Sequence, residues 1–242
     1  MTVTILPFTG LPEVTAGADL AELVAQSHLL QDGDVVVLAQ KIVSKAEGRV
    51  VTLAELEPSE RARELAGPHE DPRHIEAILR ESVRLVRTRG PLVIAETRHG
   101  FICASAGVDA SNAPEPGTLV LLPLDPDASA RQIRERLYEL TDRTVAVIVS
   151  DSFGRPWRQG TTDVAIGVAG LGPLLDLRGR RDGSGYELRS TQIAVADELA
   201  GAAELVMGKT SGIPGAVIRG FAAEGDGSAR DLVMPAERDL FR

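Results

Sequence analysis

The stretch Val145-Ala146-Val147-Ile148-Val149-Ser150-Asp151-Ser152-Phe153-Gly154-Arg155-Pro156-Trp157-Arg158-Gln159-Gly160 passes within a few residues from an apolar run to a dense array of polar groups. Its apolar half, mostly β-branched, predicts a short strand covered on both faces, and Gly154 with Pro156 is expected to stop regular structure. Asp151 and Ser152 then fall at the strand's end, where sheets of this kind often meet ligands. A carboxylate beside a hydroxyl suits a hard cation such as magnesium, which takes oxygen ligands and leaves room for phosphates. Arg155 and Arg158 would face anionic groups. The same residues can also open a simple turn with solvated arginines, so the flanking chain has to decide.

Upstream, a strand over residues 118–124, a helix over 130–140 and the strand at Val145 follow the order of a βαβ unit. Ile133, Leu137 and Leu140 face inward, and Ser129 or Asp127 is the expected cap. The small-residue loop Ala106-Gly107-Val108-Asp109-Ala110-Ser111-Asn112 reads as an Asx turn when taken alone. Paired with Asp151, Asp109 becomes a candidate second metal anchor, because a hard dication needs more negative charge than one carboxylate supplies. Residues 92–96 and 101–105 form two β-like runs joined by a hairpin turn carrying His99, which faces either substrate or solvent.

Ser59 caps a helix ended by Gly67, and a second helix over 72–86 aligns Ile75, Ile78, Leu79, Val83 and Val86. His69 and His74 show no metal-ligand spacing and are assigned to the surface. A buried strand over 35–39 runs into Gln40-Lys41-Ile42-Val43-Ser44-Lys45-Ala46-Glu47-Gly48-Arg49, whose lysines either hold phosphates as point charges or decorate a surface loop. Before it lie a strand over 3–7, the turn Thr9-Gly10-Leu11-Pro12, and a helix over 19–29 with His28 at its boundary.

Downstream, residues 161–177 are rich in glycine and alanine, and the charged segment 176–187 reads as surface or lid. A helix over 191–207 points Ile193, Ala196, Leu199, Ala203 and Val206 inward and Asp197, Glu198 and Glu204 mostly outward, with Gly208 as C-cap. Lys209-Thr210-Ser211-Gly212-Ile213-Pro214 offers a lysine to phosphates without matching the GxxxxGK[ST] pattern, and a strand over 216–219 follows. The tail from residue 222 is polar and weakly patterned.

At 242 residues the chain can bury a sizeable core. A net charge of −9 without any Lys/Arg run argues against binding bulk nucleic acid, and 3% aromatics against base-stacking platforms. The single Cys103 excludes an intrachain disulfide and fits a reducing cytoplasm, where it reads as a small core residue. No secretory signal is apparent and no apolar run reaches membrane-spanning length.

Read in order, Thr9-Gly10-Leu11-Pro12, the Gln40 to Arg49 stretch, the Ala106 to Asn112 loop, Ser150-Asp151-Ser152-Phe153-Gly154-Arg155 and Ala194-Val195-Ala196-Asp197-Glu198 resemble the coenzyme F420:L-glutamate ligase family over nearly the whole chain. The resemblance implies an α+β fold of mixed sheets and packed helices, a single ligase unit over 1–242 made of two interleaved subdomains, and an intertwined homodimer. It also implies a γ-linked addition of L-glutamate to the deazaflavin coenzyme F420-0, and onward to F420-n, with GTP and divalent magnesium or manganese. A monovalent cation such as potassium is a further candidate. Carried over by residue, the metal ligands fall on Asp109, Asp151 and Ser152. Nucleotide contacts fall on Gly10, Leu11, Pro12, Gln40, Lys41, Lys45 and Asn112, and on Met207, Gly208, Lys209, Thr210, Ser211, Gly212, Ile213 and Pro214. Some relatives carry a metal ligand where Lys209 stands; an ammonium cannot ligate a cation, so Lys209 is assigned to phosphate. The ending Asp239-Leu240-Phe241-Arg242 resembles the junction to a reductase-like domain in fused actinobacterial relatives.

A carboxylate is a poor acyl donor, so amide formation needs activation, most simply as an acyl phosphate drawn from GTP. In that reading Asp109 and Asp151 carry the metal while Lys45, Lys209 and Arg155 neutralise developing charge, with Arg158 and His99 as further substrate candidates. The alternatives are a metal-dependent phosphohydrolase using the same aspartates and a non-catalytic nucleotide-binding module.

Overall fold

The computed structural model describes residues 2–27, 30–68 and 70–240. His28, His69 and the last two residues of the ending, Phe241 and Arg242, lie outside them.

The 145–160 stretch forms a hairpin rather than a strand with a loose end. β8 (Ala146–Arg155) runs on through Gly154 and pairs antiparallel with β9 (Arg158–Ala169), from Val147 opposite Ala169 to Arg155 opposite Arg158. Pro156 occupies the connecting turn, where no ladder N–H is needed, and Trp157 takes a positive φ of 56°. Asp151 and Ser152 are therefore mid-strand residues. The glycine-rich 161–177 segment is mostly β9, which reaches Ala169 before Gly170 turns the chain.

β8 and β9 close a five-stranded sheet in the order β1-β12-β2-β8-β9, with β1 (Thr4–Pro7), β2 (Val35–Ala39) and β12 (Gly215–Arg219). Only β2 and β8 pair in parallel. The four consecutive residues from Val35 to Leu38 are fully buried, which requires cover on both faces of the sheet. The helices α1 (Leu20–Ser27), α5 (Pro126–Thr141) and α6 (Val195–Met207) provide it, α5 lying on β8 and β9 and α6 on β9, β12 and β1. α5 lies so close to β9 that a Cβ on Gly167 would come within 2.2 Å of the Pro126 carbonyl oxygen. The cap of α5 is Asp125, which accepts the Ala128 N–H at 2.9 Å. Asp127 instead turns inward to accept the Val168 and Ala229 N–H groups, and Leu140 is exposed.

A second core forms from residues between β2 and β8. It contains β3 (Val50–Thr52) paired with β7 (Thr118–Val120), the helices α3 (Glu60–Ala66) and α4 (Pro72–Glu81), and the sheet of β4 (Ser82–Arg89), β5 (Leu92–Thr97) and β6 (Ile102–Ala104). Ala62, Ile75, Ile78, Val93, Ala95 and Leu119 pack at its centre. Three expectations change here. The predicted 72–86 helix ends at Glu81, because Ser82 onward pairs with β5, and Val83 is exposed. The β7-α5-β8 succession is no βαβ unit: β7 pairs with β3 in a separate sheet, and the parallel partner of β8 is β2. The Gln40 to Arg49 stretch is not a loop, since α2 (Gln40–Ala46) starts directly at the end of β2.

α6 begins at Val195 rather than 191, because Gln192–Ile193 form β11 against β10 (Leu175–Asp176) at the base of the charged 176–187 segment. Asp197 and Glu204 turn toward β9 rather than outward, accepting the Ala165 N–H at 2.9 Å and the Asp163 N–H at 3.1 Å. Mixed helices and sheets in these proportions make the fold α+β. No described helix is long and apolar enough to cross a membrane.

Candidate active site

A cavity of about 320 Å³ opens where β8, β9, α2, the turn before α1 and the loop after α6 meet. The turn contributes Leu11 and Pro12; α2 contributes Gln40, Lys41 and Lys45; Asn112 reaches in from the loop before β7. β8 supplies Asp151 and Ser152, and the end of α6 with its loop supplies Met207, Gly208, Lys209, Thr210, Gly212, Ile213 and Pro214. Residues remote in sequence thus line one space. Gly10 and Ser211 lie beside the lining without joining it, and the Ser211 hydroxyl donates to the Met207 carbonyl.

Helical periodicity sets the cationic wall. Lys41 and Lys45 are four residues apart and share one face of α2, while Ile42 and Val43 bury the other. Lys45, only 7% exposed, donates to Glu13 Oε1 at 2.5 Å. Lys41 donates to Asp109 Oδ2 at 2.7 Å and to Ser111 Oγ at 2.6 Å. Gln40 Nε2 is committed to Ser44 Oγ and the Leu121 carbonyl, leaving its side-chain oxygen for the cavity.

Asp109, predicted as a metal ligand, does not line the cavity; it lies behind Lys41, which bonds its carboxylate. Its backbone pairs with Val120 in both directions, and Ser105, Ala106 and Gly107 just before it all have positive φ. Strain of that kind persists where surrounding structure holds it. Burial pushes the Asp109 carboxyl up, but the Lys41 ammonium and the Ser111 N–H outweigh it and hold the group below the usual carboxylate range. Asp151 behaves oppositely. Burial drives its carboxyl up to about 7, reinforced by the Asp163 and Asp109 charges, while the Ser152 N–H and Lys41 pull the other way.

Ser150 and Ser152, two apart on β8, donate to the two oxygens of Asp163 at 2.9 and 2.6 Å. Asp163, Glu204, Glu13 and Ser150 all line the cavity, and none was singled out for it from the sequence. Recognising Pro156-Trp157 as a hairpin turn would have placed Asp163 opposite Ser152. Glu204 gave a signal too weak to separate from an outward helix face.

Among the described residues, no three His, Cys, Asp or Glu side chains converge at metal-ligand distance. The oxygen donors still fit a divalent cation of the magnesium type, which binds through one or two carboxylates and completes its shell with water and substrate phosphate. Asp151, crowded by two further carboxylates with one lysine as counter-charge, is the group with most to gain from such a cation.

Three predicted substrate residues lie elsewhere. Arg155 and Arg158 sit at the tip of the β8–β9 hairpin, exposed, with Arg155 Nη2 donating to the Gln159 carbonyl. His99 faces a different cavity, holds Nε2 2.9 Å from the Pro123 carbonyl oxygen and stacks on Phe101. Cys103 is buried, and that burial with the Asp151 charge pushes its thiol up to about 12.

An α+β chain whose cavity sets lysines against carboxylates has the equipment to handle phosphorylated, anionic substrates. Residues 10–220 match the family model of F420-0:gamma-glutamyl ligase, and the chain belongs to that family. Among its relatives, proteins named coenzyme F420:L-glutamate ligase share 45% identity in Methanothermobacter thermautotrophicus and 47% in Methanopyrus kandleri. The one from Archaeoglobus fulgidus shares 42%. Each alignment covers 100% of this chain and at least 97% of the relative. The protein is a ligase of this family.

Proposed function

We propose that this protein joins L-glutamate to coenzyme F420-0 through an amide bond, at the expense of GTP. The observation that carries the reading is a cavity with Lys41, Lys45 and Lys209 on its walls and Asp151 beside them, in a chain alignable end to end with named ligases. The acceptor carboxylate attacks the γ-phosphorus of GTP, forming an acyl phosphate and releasing GDP. The amine of L-glutamate then attacks the acyl carbon, the C–O bond to phosphate breaks, and phosphate leaves as the amine gives up its protons to solvent.

Phosphoryl transfer depends chiefly on positioning and electrostatics, and the chain's residues are arranged for both. Lys45 and Lys209 present ammonium groups to phosphate oxygens; the turn at residues 10–12 and the loop over 207–214 hold the nucleotide on either side. Asp151 and Asp109, with Ser152, would hold magnesium or manganese, which when bound neutralises phosphate oxygens. No side chain need become a covalent nucleophile. Assembly as a homodimer, and a potassium requirement, belong to the same proposal.

The test is GDP release from the purified protein with GTP and magnesium, adding F420-0 and L-glutamate separately and together while following the deazaflavin mass. GDP formed only with both substrates, with one glutamyl unit gained per GDP, is the expected result. Glutamate-independent phosphate release would replace the ligase by a phosphohydrolase.

A further inference from the structure

The cavity already described is polar and suits a nucleotide and phosphates, yet the acceptor of this reaction also carries a flat tricyclic ring system. A second cavity of about 490 Å³ lies against the same hairpin, walled by Phe101, Phe153, Pro156, Val164 and Met234, with Asp197 on one side. Phe101 and Phe153 meet edge to face with centroids 6.2 Å apart, a geometry that leaves aromatic surface for a further ring. The volume is in the range of sites that bury a small ligand.

The two cavities are neighbours along β8, β9 and α6. Asp151 and Ser152 line the first and Phe153 the second; across the ladder Asp163 lines the first and Val164 the second. On α6 the same division falls between Glu204 and Asp197, seven residues and about two helical turns apart. Ser152 and Asp163 face the opposite side of the hairpin from Phe153 and Val164, but Asp151 and Phe153, two apart on β8, share a face about 7 Å from each other, so a ligand with its aromatic head beside Phe153 and a flexible anionic tail has Asp151 within the tail's reach.

Three charged side chains line the otherwise apolar space, Arg238 and Asp239 from the tail and Asp197 from α6, and Asp197 is the one fixed by the sheet. Its Oδ1 accepts the Ala165 N–H at 2.9 Å, which fixes the carboxylate, and no described residue donates to the other oxygen. A deazaflavin keeps the pyrimidinedione edge of a flavin, with a ring N–H between two carbonyls, and such an N–H needs an acceptor when it leaves water. The Ala194 to Glu198 segment, whose resemblance to the family carried no role, acquires one here.

We propose that this apolar cavity seats the deazaflavin ring of the acceptor, stacked beside Phe153, with its ring N–H donated to Asp197. The assignment rests on the ligase reading and adds to it where the acceptor's head lies. It also makes Asp197 a specificity residue: a carboxylate acceptor at this point favours a ring that offers a donor.

The test uses the full chain and the deazaflavin nucleoside, which has the ring and ribityl chain but neither phosphate nor carboxylate, titrated by its own fluorescence. Saturable binding is expected, displaced by F420-0 and unaffected by GTP with magnesium. Asp197→Asn keeps the bond to Ala165 but places a donor against a donor, and weakens nucleoside binding about tenfold or more. Met234→Ala, at an exposed position of the wall that carries no folding risk, weakens it less. Binding of a fluorescent guanine nucleotide stays at the parent value in both variants, which also shows that they fold. Nucleoside affinity unchanged in both variants, or displacement by GTP instead of F420-0, would overturn the assignment. So would absent nucleoside binding in a dimer that Met234→Glu converts to monomer, since a second copy would then cover the cavity. Glutamyl transfer is assayed separately on the parent chain. Transfer with unaltered nucleoside binding in the variants sinks the ring seat alone, and variant-sensitive binding without transfer sinks the ligase reading alone.

Discussion

Replacing Asp151 by Asn removes a carboxylate that the fold holds at a cost, and the cost has a defined pH dependence. Burial and two neighbouring carboxylates raise this group from 3.8 to about 7. The folded state therefore binds the proton more tightly than the unfolded chain, and stability falls as pH rises from about 4 to about 7, then levels off. At about 1.4 kcal/mol per pKa unit the full shift corresponds to roughly 4 kcal/mol. Part of it is repulsion shared with Asp163 and Asp109, so about 2–4 kcal/mol is expected above pH 7. Asn cannot ionise. In urea titrations without metal, Asp151→Asn should gain on the parent chain steadily between pH 4.5 and 7.5, with a constant difference beyond. Magnesium then narrows the difference at pH 8: at a hundred times its dissociation constant it should stabilise the parent by about 2.7 kcal/mol and the variant much less. A stability difference flat across this pH range, or equal magnesium stabilisation of both proteins, would refute the electrostatic account of the site.

Lys45→Met removes an ammonium that the proposed reading sets against phosphate and should raise the KM for GTP about tenfold or more, the loss of one charge-assisted hydrogen bond, as steady-state kinetics would measure. Gly167→Ala drives a methyl to 2.2 Å from the Pro126 carbonyl, and thermal unfolding should show a destabilisation of about 1–3 kcal/mol as α5 is pushed off β9. Cys103, buried with its thiol pushed up to about 12, should resist a thiol reagent at pH 8 in the folded protein and react stoichiometrically in urea. Fast modification of the folded chain would contradict the packing of β6 against β8.

Much of the site was legible because its residue types carry their chemistry locally. Lysines at four-residue spacing after a buried strand, and an aspartate beside a serine, were picked out by type, and Lys41, Lys45, Asp151 and Ser152 do line one cavity. The same holds for local capping: Ser59 accepts the Ala62 N–H as its spacing predicted, and Gly208 ends α6 with φ of 59°. Residues whose place depends on a remote partner were not legible. Arg155 and Arg158 looked like substrate ligands four and seven residues from Asp151, yet the hairpin carries them away along the strand to its exposed tip. Asp163 and Glu204 reach the cavity only because β9 folds back on β8 and α6 lies over both.

The sequence by itself determined the buried strands, most of the helices and the chemical character of the cavity, since hydrophobic periodicity, caps and side-chain charge act within a few residues. Tertiary structure alone decided that β8 continues through Gly154, that Ser82 leaves the helix for β5, and that β2 rather than β7 is the parallel neighbour of β8. The physical reason is common to all three. A strand's backbone groups are satisfied only by another strand, and pairing energy from a distant segment outweighs the weak local preferences that a single stretch of chain can express.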